Sequence, residues 1–469
     1  IRRPPRSTQG VSSAASDVYK RQMKDLGGGG LSCVVGELAL DGGFGARVNL
    51  EKVPLKVENM APWEIWVSES QERMMFTVKP ENVDQVLARC EAWDVEAVPI
   101  GEVITEKRNI VRFNGVEILN LDLEFTTGGP VYSRPYNLPD YDTGPAAPLP
   151  EYPTDLGKTI LNLISQPEVA SKDWVIRQYD HEVRGKTVLK PIQGPIGKDV
   201  PGDSSVLKPV DDSWKGLALT ADVNPYLMEA NPYHGTMSAV EEVCRNLAAV
   251  GARIDSLADC LCFGNPRKPD IMGQFKASCE ALRDAAVAVD VPYVSGNVSL
   301  YNETADGAIP PTPVLMGVGL VEDIRNCTTS DMKKDGSIWL IGKTKEEMGA
   351  SLYYRNIGKD CPNIPKTDFD SFMPRMEQLI QAIEQGEVVA CHDISTGGIA
   401  TAVIEMCMSG NGAKINLTGD MRADIELFSE SNGRWIVQVA KGSENNFCLL
   451  YTSDAADDTP CVDLGGRRI

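Results

Sequence analysis

Asp25-Leu-Gly-Gly-Gly-Gly-Leu31 opens a passage that runs through Glu37 and Gly-Ala-Arg-Val-Asn-Leu at 45–50 to Ser68-Glu69-Ser70. The same order returns far along the chain: Asp393-Ile-Ser-Thr-Gly-Gly-Ile399, Glu405, Gly-Ala-Lys-Ile-Asn-Leu at 412–417, and Ser429-Glu430-Ser431. In both copies the glutamate stands twelve residues after the aspartate. A repeat whose period is as long as a pair of domains points to a duplicated enzyme half rather than a solenoid.

Both ends of the chain are set aside before composition is interpreted. Residues 12–22 and 448–458 can be translated from one DNA string and its reverse complement, and residues 1–8 and 462–469 are related in the same way. Residues 1–22 and 448–469 therefore read as translated sequencing-adaptor DNA, non-native, and are excluded from fold reasoning. With them goes an Arg-rich start that would pass for a transit peptide, and no targeting signal is left.

The chain carries a net charge of −20, and Met23 to Phe447 remain strongly acidic without the ends. That balance argues against nucleic acid or anionic membranes as partners, though not against a phosphorylated small molecule, which needs only a local site. No apolar run approaches the ~18 residues of a membrane span, so a soluble, cytoplasmic protein is expected. The cysteines lack paired spacing and read as free thiols in a reducing compartment. Cys260-Leu-Cys262 places two thiols on one strand face, where core packing is expected because no nearby ligands complete a metal site.

Periodicity predicts helices over 30–41 and 82–93 and strands over 72–78 and 96–104, with a hairpin at Asn114-Gly115. A Gly-, Pro- and Tyr-rich stretch over 127–155 reads as a linker. A second unit has predicted helices at 155–181, 236–250 and 268–289 and strands near 216–222, 254–263, 291–298 and 312–322. A third opens with a strand at 337–342 and helices at 345–355 and 370–386. Such alternation implies layered α/β and α+β domains. The expected division is 23–126, linker 127–155, 156–330 and 331–447.

Several segments carry candidate chemistry. Asp25 beside Gly27–Gly30 puts a carboxylate next to a loop entering a helix, which suits a metal-bound phosphate; a glycine-rich helix start explains it equally well. Ser68-Glu69-Ser70-Gln71 clusters hydrogen-bonding side chains where a core strand would alternate, suggesting a polar ligand. Gly296-Asn297-Val298-Ser299 follows the apolar run Val291–Val294, at the kind of strand end where α/β proteins place ligands, with an ordinary turn as the alternative. Asp259 also ends a strand-like run, where a turn or cap role is the commoner one. No Walker-type motif occurs, so any ATP would not be held by a standard P-loop. His181, His234 and His392 have no partner arranged for nucleophilic catalysis and read as surface or structural residues.

Together, Ala170-Ser-Lys-Asp-Trp-Val-Ile-Arg-Gln-Tyr-Asp180, Asp259 with Phe263-Gly-Asn-Pro-Arg-Lys-Pro269, Gly296-Asn-Val-Ser-Leu-Tyr-Asn-Glu303, Ser68-Glu-Ser-Gln-Glu-Arg73 and His392-Asp393 with Gly397-Gly398 resemble phosphoribosylformylglycinamidine synthase, in its small-type synthetase subunit. The resemblance covers essentially all of 23–447. It implies tandem aminoimidazole ribonucleotide synthetase-like domains, ferredoxin-like-type N domains and α/β C domains: a first C-type domain (23–126), a second N-type domain (156–330) and a second C-type domain (331–447), cut short at both ends. It implies a step of purine biosynthesis in which ATP activates the amide oxygen of formylglycinamide ribonucleotide and ammonia displaces phosphate, with Mg²⁺ as cofactor.

Carried over by position, the resemblance assigns Asp25 and Asn297 to Mg²⁺, Asp259 and Gly296 to ATP, and Glu69, Ser70, Gln71 and Ser299 to substrate. It places the catalytic histidines before Met23, so the chain as given is expected to be inactive. It also implies a glutaminase subunit and a small bridging subunit as partners. The alternatives are another ATP-dependent synthetase or kinase of the superfamily, against which the long duplicated chain and Ser-Glu-Ser-Gln argue, or a non-catalytic relative of the fold. The second copy replaces Gln71 by Asn432 and Glu72 by Gly433, and resembles the family's non-catalytic mate.

Overall fold

The computed structural model describes residues 23–452 apart from Pro130, Thr143, Asp180, Asp335, Thr418 and Asp420, together with Val462–Asp463. The expected adaptor segment 1–22 and most of 453–469 thus lie outside the described residues. The described residues fall into two compact units that divide between Ser133 and Arg134.

In the first unit the order is β1 (Met23–Asp25), α1 (Leu31–Asp41), β2 (Gly45–Asn49), α2 (Pro62–Val67), β3 (Met74–Phe76), α3 (Val83–Glu91), β4 (Gly101–Ile104), β5 (Arg108–Phe113), β6 (Val116–Asp122) and α4 (Leu123–Gly128). Helix α1 buries Leu31, Val34, Val35 and Ala39, one stripe at helical spacing, in a core with Val48, Leu50, Ile65, Val111 and Leu123. Strands β4-β2-β5-β6 form one sheet, and β1 pairs with β3 in a separate two-stranded ladder. The expected hairpin is present: Asn114 (φ 49°) and Gly115 (φ 79°) close a two-residue turn between Phe113 and Val116. The expected strands over 72–78 and 96–104 shorten to β3 and β4.

The second unit begins with α5 (Leu156–Ile164), α6 (Asp173–Ile176), β7 (Thr187–Leu189), β8 (Ile192–Gln193), β9 (Val200–Pro201), β10 (Ser205–Leu207), β11 (Gly216–Asp222), α7 (Pro225–Ala230), α8 (Pro232–Ala249), β12 (Arg253–Cys262), α9 (Pro269–Val289) and β13 (Tyr293–Ser299). It continues through β14 (Glu303–Thr304), β15 (Gly307–Ala308), β16 (Thr312–Val321), β17 (Ser337–Ile341), α10 (Leu352–Asn356), α11 (Phe369–Glu384), β18 (Val388–Asp393), α12 (Gly398–Cys407), α13 (Ala423–Phe428), β19 (Trp435–Val439), α14 (Glu444–Thr452) and β20 (Val462–Asp463).

A six-stranded sheet, β13-β12-β16-β11-β10-β7, has β13 parallel to β12 at its edge. Val240, Val243 and Leu247 of α8 and Leu282 and Ala285 of α9 pack on Leu257, Leu261 and Leu315 of this sheet. The same core continues into α11 and the sheet β18-β19-β17-β20, where Trp435 stacks on Phe372 with ring centroids 5.5 Å apart.

Three expectations change. The helix over 155–181 is two short helices, because Pro167 cannot continue α5 and disfavours helical backbone before it. The helix over 345–355 shrinks to α10. The stretch 127–155 starts within α4 and from Arg134 belongs to the second unit: Asn137 N donates to the Pro269 carbonyl (3.0 Å), and Tyr141 Oη donates to Glu280 (2.5 Å). Cys260 and Cys262 do share a face, with sulfurs 3.7 Å apart, but are half-exposed rather than core. No described helix is long and apolar enough to cross a membrane.

Candidate functional site

The first copy of the repeat folds as two adjacent loops. Asp25 pairs with Met74 across β1 and β3, so the glycine-rich loop after Asp25 and the turn before Met74 leave the ladder side by side. The Gly27 amide donates to Asp25 Oδ2 (3.1 Å), and the Gly29 amide donates to Glu69 Oε1 (2.7 Å). Close approach requires the next glycine: Gly30 has φ 56°, and a Cβ there would sit 2.0 Å from the Ser68 carbonyl oxygen. Within the turn, Ser68 and Ser70 hydroxyls are 2.9 Å apart, and Gln71 Nε2 donates to the Glu69 carbonyl (3.0 Å).

Asp25, Glu69, Ser70 and Gln71 are all exposed, and the two loops that carry them lie side by side. Two carboxylates on adjoining loops at a helix start can hold a divalent cation, while the Gly27 and Gly29 amides are already engaged by those carboxylates. Ser70 and Gln71 also border a largely apolar cavity of about 1490 Å³. Asp25 and Glu69 do not border it.

A second group lies in the other unit. Asp259 on β12 pairs with Gly296 on β13, and a Cβ at Gly296 would meet Asp259 Oδ1 at 2.9 Å, so the carboxylate lies against that glycine. Partial burial raises the Asp259 pKa. Asn297 points to the opposite face of the edge strand, as alternation demands, with its Oδ1 3.8 Å from Cys260 Sγ. Ser299 is held by Asn302, whose Nδ2 donates to the Ser299 carbonyl (2.8 Å) and to its hydroxyl (3.2 Å). The structure therefore joins Asp259 with Gly296 and separates both from Asn297 by the thickness of the strand.

The second copy repeats the same bonds in a buried setting. The Gly397 amide donates to Glu430 Oε1 (2.8 Å), and Ser429 and Ser431 hydroxyls are again 2.9 Å apart. Here, however, Glu430 also accepts from the Leu352 amide (2.8 Å), Ser429 Oγ donates to the Lys345 carbonyl (2.7 Å), and Ser431 Oγ accepts from the Lys345 amide (3.0 Å). Burial pushes the Glu430 carboxyl up to about 7.

Asp393, the counterpart of Asp25, receives Arg245 Nε at 3.1 Å, and Arg245 also binds Glu241 and, at 3.4 Å, Glu242. His392 is buried rather than at the surface, with Nδ1 2.6 Å from Asp203 and Nε2 3.0 Å from Glu405. Burial disfavours its charge, but those two carboxylates outweigh that and hold its pKa well above the usual value. In the first copy Lys24 and Glu37 make the equivalent pair. Asp203, His392 and Asp393 are the one group of three metal-type ligands that converges among the described residues, within 4.8 Å, and both histidine nitrogens already have carboxylate partners. His234 Nε2 lies 2.9 Å from the Tyr141 carbonyl, a structural contact.

Two arginines of these sites are not among the expected site residues. Arg245 shows no charge pattern distinct from a solvated helix face until α8 is seen to be buried. Arg73 had a signal, since Ser-x-Ser-x-x-Arg recurs as Ser429 to Arg434.

Residues 12–114 and 333–454 both match the domain family described as "AIR synthase related protein, C-terminal domain", and 201–321 matches its N-terminal domain family. The chain is 37% identical over 460 residues to phosphoribosylformylglycinamidine synthase subunit PurL of Thermoplasma acidophilum, covering 96% of this chain and 60% of that protein. It is 41% identical over 424 residues to PurL of Thermococcus sibiricus (89% and 57%) and 38% over 454 to that of Nocardia farcinica (94% and 58%). It thus spans about 60% of the length of the curated relatives it matches. T. maritima PurL complexed with FGAR shares the fold at TM-score 0.65 and 23% identity, over 94% of this chain and 61% of that one. T. maritima PurL complexed with ATP does so at TM-score 0.63 and 23% identity, over 89% and 60%. The chain belongs to the AIR synthase related family, and its homologues there are phosphoribosylformylglycinamidine synthase PurL subunits.

Proposed function

We propose that the chain is the metal- and substrate-facing part of a phosphoribosylformylglycinamidine synthase, which uses ATP and glutamine-derived ammonia to convert formylglycinamide ribonucleotide to its amidine by phosphoryl activation of the amide oxygen. The observation that carries this reading is the Gly29–Glu69 bond, which ties the Asp25 loop to the Ser68–Gln71 turn. The names of the relatives and the FGAR and ATP complexes of T. maritima PurL supply the ligand classes.

Glu69, Ser70, Gln71 and Ser299 are the proposed substrate contacts, and Asp259 and Gly296 the proposed ATP contacts. Asp25 offers a carboxylate and Asn297 an amide oxygen, both hard donors of the kind Mg²⁺ takes, and both are exposed. When bound, Mg²⁺ neutralises charge on the transferred phosphate. No cysteine here has the strained strand-to-helix Gly-x-nucleophile-x-Gly context. A separate glutaminase and a small bridging subunit are therefore the proposed partners, in the cytoplasm.

Calorimetric titration tests the assignment on the chain itself. Mg-ATP is expected to bind, with affinity falling at least about tenfold, a 1.4 kcal/mol change, in Asn297→Ala. Wild-type-like binding by Asn297→Ala would remove its metal role. Formylglycinamide ribonucleotide binding unchanged by Gln71→Ala would remove the turn from the substrate site.

A further inference from the structure

The two copies share one contact that the ligand assignments do not use. Arg73 Nε donates to the Ser70 carbonyl (2.8 Å) and Nη2 to the Ser68 carbonyl (2.5 Å). Arg434 Nε donates to the Ser431 carbonyl (2.8 Å) and Nη2 to the Ser429 carbonyl (2.6 Å). One edge of a guanidinium therefore bridges two carbonyls across the Ser-x-Ser turn, at the same two atoms and the same spacing, in two different units. The surroundings differ: Arg434 is fully buried, whereas Arg73 is half-exposed. A contact retained across that change belongs to the turn and not to its setting.

Three further observations give the bridge a purpose. Arg73 has no carboxylate within 4.0 Å among the described residues, so its charge is not spent on an ion pair. The turn is strained just before the arginine, since Glu72 stands at φ 60° and its counterpart Gly433 at φ 72°. A left-handed non-glycine residue costs about 1 kcal/mol and persists only where neighbours hold it. Finally, the turn is the platform from which Glu69 reaches the Gly29 amide, so whatever fixes the turn also fixes the glycine-rich loop.

We propose that Arg73 is a positioning residue: its planar fork locks the Ser68–Gln71 turn so that Glu69 holds the Gly29 loop while Ser70 and Gln71 face the ligand. Lysine cannot replace it, because a single ammonium lacks the two parallel N–H vectors that match the two carbonyls. The effect on ligand rests on the proposed function; the lock itself does not.

Hydrogen exchange on the 469-residue chain, read in peptides covering 27–31 and 68–73, tests the lock without any ligand. In Arg73→Met the Gly29 region is expected to exchange about tenfold faster or more, with Arg73→Lys recovering only part of the protection. The peptides over 397–399 and 429–434 should be unchanged and serve as the internal standard. Gly29 protection equal to wild type in Arg73→Met overturns the proposal, as does full rescue by Arg73→Lys. If Arg73→Met does not fold, the lysine variant, which keeps the charge, decides alone by the same criterion.

Titration with formylglycinamide ribonucleotide then separates the two readings. Weaker binding in both variants in proportion to lost protection supports the lock as a positioning device. Wild-type affinity in a variant whose loop has loosened overturns it. A wild-type chain that fails to bind while exchange behaves as expected sinks the functional reading and leaves the lock standing.

Discussion

Glu69 and Glu430 hold the same place in the repeat and bind the same glycine amide, yet one faces solvent and the other is 6% exposed. In the second copy the remaining valences of the Ser-Glu-Ser turn are filled by the chain itself, through Lys345 and the Leu352 amide. The carboxylate after the strand is likewise taken, by Arg245. In the first copy the same groups are exposed. A duplicated motif is thus left open in one unit, where we propose it meets ligand, and closed by the chain itself in the other.

The contrast is most sharply broken at Arg245. It is buried against Glu241, Glu242 and Asp393, and burial has already raised the pKa values of both glutamates. Arg245→Met leaves these carboxylates without their cation, which should cost about 3–5 kcal/mol. Urea unfolding followed by exchange in peptides of each unit should show the second unit melting early and the first unmoved. An unchanged second unit would mean the cluster is not what closes this copy.

The paired substitutions Glu430→Ala and Glu69→Ala come next. The first strands two buried amides and should cost about 2–3 kcal/mol; the second should leave the urea midpoint in place while exposing Gly29 to exchange. Equal effects on stability would erase the distinction between platform and scaffold.

A pH series sharpens it further. Glu430 has a folded pKa of about 7, above its unfolded value, so the folded state holds the proton more tightly. Its contribution is therefore full below the unfolded pKa of ~4.3 and is lost as pH rises towards about 7. The raised pKa of His392 acts in the same sense at higher pH. The second unit should lose stability as pH rises through this window, and Glu430→Gln should flatten the lower part of the slope. The same slope in Glu430→Gln as in wild type would assign it to other groups.

These partners explain what could be read from the chain beforehand. Helix α8 was legible over 236–249 because apolar residues recur through Ala249, but its start lies four residues before the expected one, at the Asn231 cap and Pro232. The repeat and the hairpin at Asn114-Gly115 were legible for the same reason: local pattern or simple order decides them. The burial of Glu430 was not, because its second partner is the backbone amide of Leu352, 78 residues away, and a backbone amide leaves no trace in side-chain spelling. Nor was the pairing of Gly296 with Asp259 and of Asn297 with Cys260, which depends on the register between β12 and β13.

The smallest effect is expected at Glu72, and it bears directly on the turn. Its counterpart is Gly433, and both stand in the left-handed region. Glycine meets that backbone without the Cβ clash, worth about 1 kcal/mol, although its freer unfolded chain takes back part of the gain. Glu72→Gly should therefore stabilise the first unit by a few tenths to about 1 kcal/mol, read as a higher urea midpoint for its peptides. If the lock by Arg73 holds the strained turn, the relaxed turn should depend on it less, so Arg73→Met should loosen the Gly29 region less in the Glu72→Gly background than alone. Additive effects would mean that strain and lock are independent, and that Glu72 stands at positive φ for a reason unconnected with the arginine.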